Sequence, residues 1–132
     1  MEWQAIFLPE AFEDLEALQG RGSTAEEVER AIRSEFTGPK GDRLWKFLTQ
    51  GATTGKVDRL EGSQFHGSIR LQVMQDYRAT VVCLPAVRAV VVVHVFAKSR
   101  DPDYRAAVKV HDERFRRFTT TLGEFTGRKG RR

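Results

Sequence analysis

The stretch from 68 to 98, SIRLQVMQDYRATVVCLPAVRAVVVVHVFAK, constrains the fold more than any other, because it reads as three consecutive β-strands. In the first run Ile69, Leu71 and Val73 alternate with Ser68, Arg70 and Gln72, the period-2 pattern of a half-buried strand. After Met74-Gln75-Asp76 the second run, Tyr77 to Leu84, sets Arg78 and Thr80 against Tyr77, Ala79, Val81 and Cys83. Pro85-Ala86 marks a turn, since proline cannot donate to a central ladder. The third run, Arg88 to Lys98, is almost wholly apolar. Strict alternation there puts Arg88, His94 and Lys98 in one phase and Ala89, Val91, Val93, Val95 and Ala97 in the other. With the polar phases on one sheet face, that face carries Arg70, Arg78, His94 and Lys98, a set suited to a polyanion.

Around this sheet the chain offers helices. Glu2 to Leu8 is a short strand with Trp3, Ala5 and Phe7 on one side. Pro9 starts a helix at the position where its missing N–H costs nothing, and Phe12, Leu15 and Leu18 form its apolar stripe. Gly20-Arg21-Gly22 ends it, Ser23 or Thr24 caps a second helix, and Val28, Ala31, Ile32 and Phe36 carry that helix's inner face. Thr37 to Gly41 reads as a loop, and Asp42 as the cap of a short helix from Arg43 to Thr49. Val57 to Leu60 is a short strand. The run Gly51 to Lys56 mimics a phosphate-binding loop only superficially. It is one residue short, Val57 stands where a metal-binding Ser or Thr is needed, and no strand-loop-helix context surrounds it. Asp101-Pro102 opens a long helix to about Leu122, with Tyr104, Val108, His111, Phe115, Phe118 and Leu122 at helical spacing. The expected fold is α+β, an antiparallel twisted sheet of about four strands with an N-terminal helical hairpin on one face and a C-terminal helix. Residues 1–122 form a single domain and 123–132 a basic tail.

At 132 residues the chain can bury a core without staples. A single cysteine excludes an internal disulfide and fits a reducing cytosol, so a cytoplasmic location is expected. No secretory leader is visible, and the longest apolar run is too short for a bilayer. The net charge of +4 conceals an asymmetry: residues 1–36 hold nine acidic and three basic side chains, the remainder nine acidic and nineteen basic. That imbalance favours a polyanion partner for the sheet and last helix.

Arg70 and Arg78 admit a bland reading as solvated surface charge and a sharper one as phosphate ligands, since the planar arginine fork matches phosphate oxygens. His111 sits in an apolar stripe, which favours a satisfied histidine near the core. Metal chemistry has little support: His66, His94 and His111 are scattered, and there is no paired ligand motif. Ser68-Ile69-Arg70, then Tyr77-Arg78, then a strand closing on Phe96-Ala97-Lys98, resembles the sheet of the RelE/ParE superfamily of toxins, most of all its HigB-like branch. The interval between the two arginines is longer here. The resemblance implies a toxin of a type II toxin-antitoxin system that cleaves translated mRNA at the ribosome without metal or cofactor. It implies partnership with a cognate antitoxin, mRNA and the ribosome, and no membrane. Carried over, Arg78 holds the scissile phosphate, Arg70 matches the second arginine, and Lys98 lies near the basic strand end. His94, Lys98 and Tyr104 are candidates for proton transfer, and Arg88, Arg100, Arg105 and Lys109 for RNA contact. Two alternatives stay open: a ParE-like toxin that poisons DNA gyrase, and an inactive nucleic-acid-binding module.

Overall fold

The computed structural model describes residues 2–18, 24–51, 56–98 and 104–130, with side chains described up to Gly123 in the last segment. In chain order the elements are β1 (Gln4–Phe7), α1 (Pro9–Ala17), α2 (Ala25–Ser34), α3 (Gly38–Gln50), β2 (Val57–Arg59), β3 (Ser68–Val73), β4 (Tyr77–Leu84), a 3₁₀ turn (Pro85–Val87), β5 (Ala89–Ala97) and α4 (Tyr104–Gly130). Gly20-Arg21-Gly22, Ser23, the centre of the Gly51–Lys56 loop, Asp101-Pro102, Arg131 and Arg132 lie outside the described residues.

The sheet expected as about four antiparallel strands has five and is mixed, in the order β1-β5-β4-β3-β2. The β2, β3, β4 and β5 neighbours pair antiparallel, whereas β1 runs parallel to β5 with Gln4 opposite Ala89 and Phe7 opposite Val92. Alternation in a four-residue strand is the same for either direction, which is why the sequence could not decide it. The Met74-Gln75-Asp76 turn does join β3 and β4, with Val73 opposite Tyr77.

Strict alternation fails in β5. Thr80 faces His94 while Val81 faces Val92, so Val93 is an extra residue, a β-bulge. The bulge reverses the phase along the strand. Val90, Val92 and Val95 join the core beneath α1, α2 and α3, whereas Val91 and Val93 pack on the opposite face with Leu8, Val82 and Phe115. The single-phase reading of Arg88 to Lys98 is thereby corrected.

One sheet face, carrying Ile69, Leu71, Val73, Tyr77, Ala79 and Val81, packs against Leu15, Val28, Ile32, Leu44 and Phe47 of the three early helices and against Phe36 between α2 and α3. Thr24 caps α2 by accepting a hydrogen bond from the Glu27 N–H at 3.2 Å. The third helix is longer than expected, because Gly38 to Gly41 form its first turn rather than a loop. Proline is tolerated there, and Gly41 is buried and accepts a hydrogen bond from Trp3 Nε1 at 3.0 Å. The other face of the sheet is covered in part by α4, which continues beyond Leu122.

Gly67, at the entrance to β3, has φ +83°, and a Cβ there would sit 2.5 Å from the Cys83 carbonyl oxygen. Its own carbonyl accepts from the Cys83 N–H at 2.9 Å, so the two backbones cannot separate cheaply. Gly67→Ala is expected to lower unfolding stability by about 2–3 kcal/mol through left-handed strain and backbone overlap. Gly123→Ala, in a helix with nothing within 4 Å of the added Cβ, should be neutral or stabilising by about 0.5–1 kcal/mol. Urea denaturation of the two variants checks both outcomes.

Candidate functional site

The strand registers arrange the polar side chains in rows on the face shared with α4. Arg70, Thr80 and His94 are opposite one another across β3, β4 and β5, and Gln72, Arg78 and Phe96 form the next row. The two arginines therefore lie on one face, diagonal to each other. Arg70, Arg78, His94 and Phe96 are partly exposed, and Lys98 is exposed just beyond the Arg78–Phe96 row. The Lys98 N–H donates to the Asp76 carbonyl at 2.8 Å, closing the end of the strand against the β3–β4 turn.

An aromatic chain crosses this corner. His94 stacks on Phe96 with ring centroids 4.8 Å apart, and Phe96 meets Tyr104 of α4 edge-on at 6.3 Å. The Arg70 guanidinium lies over the Tyr104 ring, 4.7 Å from its centroid, and Nη2 donates to Asp58 Oδ2 of β2 at 2.9 Å. The hydrogen bond with Tyr104 raises the Arg70 pKa first; burial opposes this and Asp58 adds to it, so the guanidinium stays charged. A cleft of ≈ 350 Å³ opens beside it, lined by Asp58, Arg59, Leu60, Glu61, Arg70 and Tyr104. Arg78 is tethered differently: its Nη1 donates to the carbonyls of Gln75 at 3.2 Å and Tyr77 at 2.8 Å.

His94 belongs to a second cluster. Its Nδ1 lies 3.0 Å from Asp14 Oδ2 of α1. The same carboxylate accepts from the Val95 N–H at 3.0 Å, from Arg114 Nη2 at 3.0 Å and from Arg114 Nη1. Burial alone would raise the Asp14 pKa, but the hydrogen bonds from His94, Arg114 and Val95 outweigh it and hold the carboxyl down to about 2. Asp14, Asp58, Phe96 and Arg114 were not singled out as site residues in the sequence. Only Phe96, two positions from His94 and part of the strand-closing Phe96-Ala97-Lys98, carried a signal that could have found it.

Beneath α4 lies a buried polar network. His111 is fully buried, with Nε2 2.9 Å from Ser68 Oγ and Nδ1 2.8 Å from Thr80 Oγ1. Ser68 Oγ is 2.9 Å from Ser63 Oγ, which donates to Asp112 Oδ1 at 2.6 Å. A carboxylate only accepts, so the single Ser63 proton goes to Asp112 and the Ser68 hydroxyl must donate to Ser63. Ser68 Oγ then accepts from His111 Nε2–H, and Thr80 donates to Nδ1. Counting protons from Asp112 thus fixes a neutral His111 in one tautomer, a structural clamp as its place in the apolar stripe implied.

The remaining expected contacts are dispersed. Arg88 adopts φ 51° at the far end of β5, and its carbonyl accepts from the Gln4 N–H at 2.8 Å. The eight residue steps from Arg88 to Phe96 along β5 put it roughly 25 Å from the Arg78–Phe96 row at the usual rise. Arg105 and Lys109 line a separate groove of ≈ 590 Å³ with Gly62, Gln64, Glu113 and Arg116. Arg100 lies outside the described residues. Among the described residues no group of three His, Cys, Asp or Glu side chains is placed to hold a metal ion, and no helix is long and apolar enough to cross a membrane.

No family model and no curated protein matches the chain. Among its structural neighbours are the RelBE2 and YoeB-YefM complexes and the isolated RelE toxin. Similarity to the RelBE2 toxin-antitoxin complex of Mycobacterium tuberculosis is at 17% identity and TM-score 0.46, over 74% of this chain and 100% of that one. For the isolated Escherichia coli RelE toxin the values are 17% and 0.41, over 81% and 96%. For the YoeB-YefM complex of Staphylococcus aureus they are 16% and 0.40, over 76% and 100%.

Burial lowers the His111 pKa from 6.5 to about 4. The unfolded chain therefore takes up a proton near pH 6.5 that the folded chain refuses until about pH 4. The corresponding stability is complete above pH 6.5 and declines by about 3 kcal/mol on acidification to pH 4. Subtracting the pH–stability curve of His111→Gln from that of the parent is expected to reveal this slope, with none remaining in the variant from this residue.

Proposed function

We propose that this chain is the toxin of a toxin-antitoxin pair and cleaves RNA by metal-independent transesterification. The observation that carries the reading is the open corner where Arg70, Arg78 and His94 share one face of the sheet, with Lys98 at its rim. In that reaction the ribose 2′-oxygen attacks the adjacent phosphorus. The P–O5′ bond breaks, leaving a 2′,3′-cyclic phosphate and a 5′-hydroxyl. The reaction needs a base for the 2′-hydroxyl proton, an acid for the departing 5′-oxygen, and positive charge where the phosphorane gathers negative charge.

The side chains divide naturally among those tasks. Arg78 is half-buried and anchored by Nη1 alone among its bonds to described residues, which leaves the other edge of its fork for phosphate. Arg70 is pre-positioned by Asp58 and Tyr104, so its charge is fixed in place before substrate arrives. His94 is the proton carrier, since a neutral imidazole has one nitrogen that accepts and one that donates. Lys98 supplies charge at the rim, and Tyr104 stacks where a base or the ribose enters. The HigB-like strand sequences extend the reading to translated mRNA on the ribosome. An antitoxin, acidic over the segment that meets this corner, would close it, since opposite charge speeds the encounter and fixes register.

Arg78→Ala is expected to reduce RNA cleavage by on the order of 10²–10³, the usual cost of removing one donor aimed at developing charge. Its thermal midpoint should move little, because a partly exposed side chain contributes only about 0.5 kcal/mol. Mapping transcript 5′ ends after induction, and cleavage assays in EDTA, provide the measurements; gyrase supercoiling should be unaffected. Wild-type cleavage rates in Arg78→Ala would refute the assignment. Unfolding of the variant would return Arg78 to a structural role.

A further inference from the structure

The nuclease reading leaves open what makes one sheet histidine a usable base. Of the described acidic side chains, Asp14 is the one that touches His94, and it comes from α1, eighty positions away in the chain. Its carboxylate accepts hydrogen bonds and cannot donate one while ionised. The proton between Asp14 Oδ2 and His94 Nδ1, 3.0 Å apart, must therefore sit on the imidazole. Arg114 Nη1 is also near Nδ1, but farther, at 3.3 Å, and two donors cannot share a bond. Its own protons go to Asp14 and to the Val93 carbonyl at 3.0 Å.

The consequence is a defined tautomer. With Nδ1 protonated, the lone pair of neutral His94 lies on Nε2. All hydrogen bonds of His94 to described residues pass through Nδ1. The two ring nitrogens point widely apart, so a ring whose Nδ1 is fixed on Asp14 at the outer edge of β5 aims Nε2 away from that edge. Stacking on Phe96, the cross-strand partner of Arg78, fixes the ring plane against the row that holds the phosphate ligand.

We propose that Asp14 is a positioning residue for the reaction: it holds His94 as the Nδ1–H tautomer, so that Nε2 takes the 2′-hydroxyl proton as the 2′-oxygen attacks phosphorus. The departing 5′-oxygen keeps the electron pair of the broken P–O bond and takes a proton from solvent water. No further reactant is needed. Asp14 itself neither touches RNA nor changes protonation. The charged and titratable groups around the dyad are Asp14 on α1, Arg114 and His111 on α4, and Glu10 and Glu13, which act on Arg114.

This inference rests on the nuclease reading, and the experiment separates the two. The pH–rate profile of RNA cleavage is measured for the full chain, Asp14→Asn, His94→Ala and the double variant. Asparagine keeps the size of the side chain, and its oxygen can still accept from the Val95 N–H. Asp14→Asn is expected to lose 10- to 100-fold in kcat, with KM little changed and a pH–rate profile that differs from the parent's. In the His94→Ala background the Asp14 substitution should cost nothing further, which a merely structural role would not produce. Imidazole ¹⁵N shifts of the unmutated protein should show His94 protonated at Nδ1 when neutral. A wild-type rate and pH profile in Asp14→Asn, or additive losses in the double variant, overturn the proposal. If Asp14→Asn does not fold, the ¹⁵N shifts decide, and a neutral Nε2–H form overturns it. Absence of cleavage by the unmutated chain sinks the nuclease reading and this inference together.

Discussion

The carboxylate of Asp14 solves a problem created by unequal strand lengths. The outer edge of β5 is paired with β1 only as far as Val92, whose carbonyl takes the Leu8 N–H at 3.1 Å, before the chain turns away at Pro9 into α1. The Val93 carbonyl and the Val95 N–H are then left on an edge with no strand beside it. A buried backbone group without a partner costs about as much as a lost hydrogen bond. Asp14 and Arg114 supply the two partners, one from each helix, and pair with each other. A single ion pair thus ties α1, β5 and α4 together, and His94 is drawn into it. Removing either charge would leave the other partly buried and uncompensated.

The two faces of the sheet follow different rules for a related reason. Beneath α1, α2 and α3 the interface is mainly apolar, with the Trp3 Nε1–H donated to the Gly41 carbonyl. Beneath α4 it is mixed: Val82, Val91, Val93 and Phe115 are apolar, while Ser68, Thr80 and His111 are polar and fully occupied with one another. A partly satisfied buried network would be worse than none, and no buried side-chain nitrogen or oxygen among the described residues lacks a partner. The helix therefore has one seating that satisfies every group. That seating leaves the Arg78 end of the face open and brings Tyr104 over Arg70. The bulge at Val93 completes the arrangement by turning His94 and Phe96 towards the same side.

Much of this was legible because local patterns carry local information. The alternation in Ser68 to Val73 and Tyr77 to Leu84 reports which side chains share a face, and a short turn leaves adjacent strands one way to pair. Arg70 and Arg78 were visible as a pair on those grounds alone. The helices α1, α2 and α4 announced themselves through apolar stripes, and His111 through its place in one. Proline and glycine at 38–41 misled, since both residues mark loops and first helical turns alike, and only the packing of Trp3 on Gly41 separates the two outcomes.

What the sequence determined by itself, then, was the set of strands, the face their arginines share, and a cationic surplus behind an acidic front third. What only the tertiary structure decided was the direction of β1, the reversal of phase at Val93, and the company His94 keeps. Each of these depends on groups far apart in the chain. A run such as AVVVVHVFA, buried along its first five residues, has no alternation there from which a bulge could be read. Asp14 was one acidic residue among many on an exposed-looking helix. Its role arises from an unpaired amide and carbonyl on a strand eighty residues away, and residue order alone carries no measure of that distance in space.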